Sequence, residues 1–171
     1  KKAEVFADFV RSSSLDKNDT WQAVTSVFMK VIEYPMAAVS LTKDEWDHIM
    51  APITTHMLPK SGLAKRFPHA VLYAPTRFQG RGKRQPYLNN CIQQIHAFLH
   101  QTNSNTLTGD LMCTAFENMR LEIGLPGRIT DAPFLALEKA VTDSWAKTIW
   151  QFMTTHKMDL FDPIPQIREL R

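Results

Sequence analysis

The sequence has 171 residues, 44% of them apolar and 22% charged, with a formal net charge of +3. That composition excludes a disordered chain and fits a single globular domain. No apolar run reaches the roughly 20 residues of a membrane span, and no secretory signal is read ahead of the first helix, which points to a soluble intracellular protein.

The first element is a helix in KKAEVFADFVRSS, with Val5, Phe6, Phe9 and Val10 as its apolar stripe. Polar residues break the pattern, and Asp19, with Gln22 as reciprocal partner, is the expected cap of the next helix. Its face carries Trp21, Val24, Val27, Phe28, Val31 and Ile32, and Tyr34-Pro35 ends it. Thr42-Lys43-Asp44-Glu45 reads as a capping box opening a helix to about Met57, with Pro52 predicting a kink near Met50. The acidic residues after Thr42 complement the helix dipole and are not read as a metal site.

Residues 59–85 then form an irregular stretch rich in proline and glycine, with Ala70–Tyr73 a short strand or a strap across helices. Between Asp47 and Asp110 there is no carboxylate side chain, whereas Lys60, Lys65, Arg66, Arg77, Arg81, Lys83 and Arg84 all fall there. The window carries +7 against −4 for the rest of the chain. Such a concentration of cations suits a polyanion. Gly80 and Gly82 permit close approach of backbone to a ligand, but Gln85 breaks any dinucleotide fingerprint.

From Pro86 the helical period resumes, with Leu88, Cys91, Ile92, Ile95, Phe98 and Leu99 on one face. His96 and His100 are spaced i, i+4, but Ala97 replaces the glutamate of a metalloprotease helix and no third ligand is evident, so no metal is expected. Thr106 to Ile123 is a further helix with Leu111, Met112, Ala115, Phe116, Met119 and Ile123 inward, Gly124 as its C-cap and Pro126 beyond. A capped start at Thr142–Trp145 leads into the last helix, with Trp145, Ile149, Phe152 and Met153 inward. Cys91 and Cys113 have no zinc-like spacing and read as core thiols in a reducing compartment.

The expected architecture is an all-α domain, a bundle of five to six helices with a long basic arm between the third and fourth. Its parts are a first helical half (1–58), the arm (59–85), a second helical half (86–157) and a tail (158–171). No nucleophile elbow, phosphate-binding loop, Cys-x-x-Cys pair or Asp-Asp pair occurs. The chain is therefore read as non-catalytic, without cofactor or metal.

Several stretches carry a resemblance. They are Ala23–Leu58 with Tyr34-Pro35 and Leu41-Thr42, Pro59–Gly62, Phe67–Pro75, Gln79–Gly82, the helix around Asn90 to Leu99, Leu121–Gly124, Thr142–Trp145 and Trp150–Phe152. Their order and spacing resemble the region C-terminal to the palm in reverse transcriptases of non-LTR-like retroelements, over about residues 20–153. Arg81 departs from the pattern, where the family's turn usually carries an apolar residue. The resemblance implies a thumb and adjoining connection, with the palm and fingers as partners and nuclear residence by analogy. Such a thumb grips an RNA–DNA hybrid or another duplex through its backbone, with the seven cations neutralising phosphates and little sequence preference. Tyr73 and Phe78 are expected to pack in the arm's core rather than to stack on bases. The alternative is a helical protein–protein interaction module with Phe161 as an anchor, a remnant without polymerase function.

Overall fold

A computed structural model describes residues 1–125, 127, 129 and 132–158. The chain is all-α, with no strand among the described residues. The chain clusters as two compact units, Lys1–Met36 with Leu41–Asn90, and Ala37–Ser40 with the described residues from Cys91 onward.

In the first unit, α1 (Lys2–Ser12) packs on α4 (Lys43–Lys60). Ala7 and Val10 of α1 are buried, but Val5 is 65% and Phe9 54% exposed, so the inward stripe is narrower than the apolar spacing suggests. Helix α2 (Lys17–Gln22) continues through a π-helical segment (Ala23–Phe28) into α3 (Met29–Glu33). Its cap is Asp16 rather than Asp19: the Asp16 carboxylate accepts from the Asp19 backbone N–H at 2.7 Å. The wider π turn favours spacings of four to five residues. Accordingly Thr20, Val24, Phe28 and Met29 point inward, whereas Val27 and Val31, expected inward, lie more than half exposed.

The capping box of α4 is present, with Glu45 accepting from the Thr42 N–H at 2.8 Å and Thr42 Oγ1 accepting from the Glu45 N–H. The Thr42 backbone N–H and, second, the Thr42 hydroxyl, which donates to Glu45 Oε2 at 2.9 Å, hold the Glu45 carboxyl below its ordinary pKa. The helix runs unbroken through Pro52 and Pro59 to Lys60, past the end expected at Met57. Tertiary burial of Met50, Ile53, Met57 and Leu58 compensates for the amides the prolines lack. Together with Val10, Val24, Phe28 and Leu72 these side chains form the core of the unit.

The stretch expected to be irregular contains two short helical turns. Ala70–Tyr73 belongs to a one-turn helix, α5 (His69–Tyr73), and not to a strand, and a 3-10 turn follows at Thr76–Phe78. The Pro68 carbonyl accepts from the Val71 and Leu72 N–H groups, and Leu72 is fully buried. A helix this short has no stability of its own, so the burial of Leu72 decides its conformation. The returning chain is stitched to it: Arg81 N–H donates to Val71, Lys83 N–H to Leu72 and Gly82 N–H to Ala74, at 2.9–3.1 Å.

Helix α6 (Pro86–Asn103) carries the unit boundary after Asn90. Cys91, Ile95 and Phe98 are buried as expected, but Ile92 is exposed, and two polar residues, Asn90 and Gln94, are fully buried, the Gln94 amide donating to the Val39 carbonyl at 2.9 Å. In the second unit, α7 (Leu107–Ile123) is capped by Thr106 and ends at Gly124 with φ +69°. Phe116 and Met119 are buried, whereas Leu111 is 62% exposed. Helix α7 also packs on α9 (Trp145–His156), capped by Ser144, as does the short α8 (Phe134–Leu137). The core is aromatic: Phe98, Phe116 and Trp145 form a triangle with centroids 4.9–6.0 Å apart, and Phe134 meets Trp150 edge-on at 4.8 Å. Cys91 is buried and Cys113 half-buried. Pro126 and the tail beyond Met158, including Phe161, lie outside the described residues.

Candidate nucleic-acid interface

The seven cations of the basic stretch have different fates. Lys60 is part-buried, and its ammonium donates to the Ser13 carbonyl, the Ser13 hydroxyl and the Val10 carbonyl, satisfying carbonyls at the end of α1. Lys83 is only 3% exposed, and its Nζ has a single weak partner, the Met57 sulfur at 4.0 Å. Burial pushes its pKa down to about 8. Arg84 pairs with Glu33 at 3.1 Å, and Glu33 also holds Lys30 at 2.9 Å. Lys60 and Lys83 serve the interior first, whereas Arg84 stays 64% exposed but is neutralised by Glu33, distinctions that charge counting in sequence does not reveal.

The remaining four stand at the surface. Lys65, Arg66, Arg77 and Arg81 are exposed and have no carboxylate partner among the described residues. Arg77 lies over the Phe78 ring at 4.8 Å, and Phe78 is 68% exposed, so it is not the core residue expected from sequence. Tyr73 does pack against the core, where burial, with Asp47 as a lesser cause, raises its phenol pKa. Arg81 lies over the Trp21 ring at 5.1 Å.

Gly80 and Gly82 serve the fold before any ligand. A Cβ on Gly80 would stand 2.0 Å from the Ala74 carbonyl oxygen, so its close approach is to its own chain. Gly82 has φ +65°, a backbone region that side chains disfavour.

Arg81 and Trp21 line an open groove of about 650 Å³ within the first unit. One wall comes from α2 and the π segment, where Lys17, Asn18, Gln22 and Thr25 project; the other comes from Ser61, Thr76 and Gly80. Lys17 runs across the α-carbon of Gly62, where a Cβ would meet Cδ and Cε at 3.3 Å and Nζ at 3.5 Å. No carboxylate lines the groove among the described residues. Lys17 and Asn18 escaped the sequence reading because they lie outside the basic window, and Gln22 was read there only as a capping partner; their i, i+1, i+5 spacing on α2 was the remaining trace.

His96 and His100 stack with centroids 6.5 Å apart, and no group of three potential metal ligands occurs among the described residues. No described helix is long and apolar enough to cross a membrane. No protein family, curated protein or solved structure matches this chain.

Proposed function

We propose that this chain is a non-catalytic helical module that holds a nucleic-acid duplex by its phosphates, in the manner of a reverse-transcriptase thumb acting beside a palm and fingers. The observation that carries the reading is the set of exposed, carboxylate-free cations Lys65, Arg66, Arg77 and Arg81 on a hydrogen-bonded turn structure. A rigid scaffold lowers the ordering cost of binding, and guanidinium groups suit phosphate geometry. Lys60, Lys83 and Arg84 leave the grip, because each is engaged within the fold. Phosphate contacts position a duplex without reading its sequence, so little base preference is expected. The thumb assignment and nuclear residence rest on the resemblance alone.

Binding to an RNA–DNA hybrid, duplex DNA and single-stranded RNA across a salt series tests this. Four phosphate contacts give a log–log slope of about −3 to −4 on duplex. The quadruple alanine variant of Lys65, Arg66, Arg77 and Arg81 should flatten it. No binding at low salt, or an unchanged slope in that variant, defeats the reading.

A protein-docking module is the second reading, favoured by the outward stripe of Val27, Val31 and Tyr34, the last 93% exposed. Its test is co-purification with the parent palm and fingers, which Val31→Glu with Tyr34→Glu should abolish.

A further inference from the structure

The groove beside Trp21 has features that a phosphate grip does not need. Its volume of about 650 Å³ falls within the ~300–1,000 Å³ typical of ligand pockets, whereas a backbone contact needs only a surface. Two cations, Lys17 and Arg81, line it. Two carboxamides, Asn18 and Gln22, line the same wall as Lys17, and carboxamides pair with the donor–acceptor edges of bases.

We infer that this groove takes one unpaired nucleotide, its phosphate held by Lys17 and Arg81 and its base edge by Asn18 and Gln22. A base still stacked and paired in a duplex cannot enter a walled groove, so the nucleotide must come from a single strand or from solution. Arg81 already covers one face of Trp21, so recognition proceeds through charge and hydrogen bonds, with the Trp21 ring as a reporter. The single strand as the source rests on the nucleic-acid reading above; the nucleotide chemistry does not.

The test titrates the whole 171-residue chain with adenosine 5′-monophosphate, inorganic phosphate, a single-stranded octanucleotide and a blunt duplex. It follows the Trp21 indole resonance, assigned with Trp21→Phe. The monophosphate should shift that resonance with a Kd between about 10 μM and 1 mM. Lys17→Ala should weaken monophosphate and inorganic phosphate together, by about tenfold. The pair Asn18→Ala and Gln22→Ala should weaken the monophosphate by about tenfold and leave inorganic phosphate unchanged. A resonance unmoved by both the monophosphate and the octanucleotide overturns the inference, as does wild-type affinity in the carboxamide variant. Competition by the octanucleotide identifies a strand as the source, whereas monophosphate binding without it overturns the strand and leaves a free-nucleotide site. Duplex binding that survives all three pocket substitutions while the monophosphate fails to bind leaves the phosphate grip standing without this site. Monophosphate binding with no duplex binding does the reverse.

Discussion

The inner and outer cations of one basic stretch contrast sharply. Lys60 and Lys83 come from the same carboxylate-free window as Lys65 and Arg77, yet one ammonium satisfies carbonyls of α1 and the other sits beside the Met57 thioether. The outer set meets solvent. The difference teaches that charge density along a chain measures how many cations are available to a polyanion only after the fold has taken its share. Inner substitutions should therefore move stability and leave binding alone, and outer substitutions should do the opposite.

The largest effect is expected at Lys83. Its folded pKa of about 8 lies below the ordinary lysine value of 10.5, so the unfolded chain holds the proton more tightly. Stability attributable to this group is therefore lowest below pH 8 and rises as the pH climbs from about 8 to about 10.5, by about 3 kcal/mol in total. Lys83→Met should remove that penalty, raising stability at neutral pH by up to about 3 kcal/mol and flattening the rise. Urea unfolding between pH 7 and 10.5 measures both. A destabilised variant with an unchanged pH profile would mean that the buried ammonium is not the strained group.

Next comes the turn that presents Arg81. Gly80→Ala drives a Cβ into the Ala74 carbonyl and should cost about 2–3 kcal/mol, whereas Gly82→Ala meets mainly the positive φ and should cost about 1 kcal/mol. Thermal melts rank the two. Equal costs would show that the turn relaxes freely, which would weaken the picture of a rigid outer set.

Lys60→Met leaves carbonyls at the end of α1 without their donor and should cost about 1–2 kcal/mol, with no change in the salt slope on duplex. The smallest stability effects belong to Lys65→Ala, Arg66→Ala and Arg77→Ala, within about 0.5 kcal/mol of the parent. Each should still reduce the salt slope by about one phosphate contact. If these three destabilise as much as Lys60→Met, the division into inner and outer sets collapses.

Much of the fold was legible locally. The Thr42 box, the helix starts near Thr106 and within Thr142–Trp145, and the left-handed Gly124 are decided by side-chain oxygens and by a missing Cβ within one turn of the helix end. The exposed sides of the helices were less legible. Apolar spacing marked Val5, Phe9, Val27, Val31, Ile92 and Leu111 as inward, and all six lie outward. A period of 3.6 fixes which residues share a face, but the neighbouring helix fixes how wide the buried strip is, and the π segment shifts it further.

Of the candidate site, the cations were readable as a charge excess and the glycines as turn formers. Their partners were not, because Lys60 with Ser13, Arg84 with Glu33 and Arg81 with Trp21 are joined across 47–60 residues of chain. The sequence by itself determined the helical class, several of the helix ends and the absence of carboxylates from residues 48–109, since each depends on residue type or on neighbours within a turn. The tertiary structure alone decided that residues 69–73 coil rather than extend, that Lys83 is buried, and that Lys17, Asn18 and Gln22 share a groove with Arg81. Those outcomes depend on which distant surfaces meet, and burial energy outweighs the small local preferences that the sequence displays.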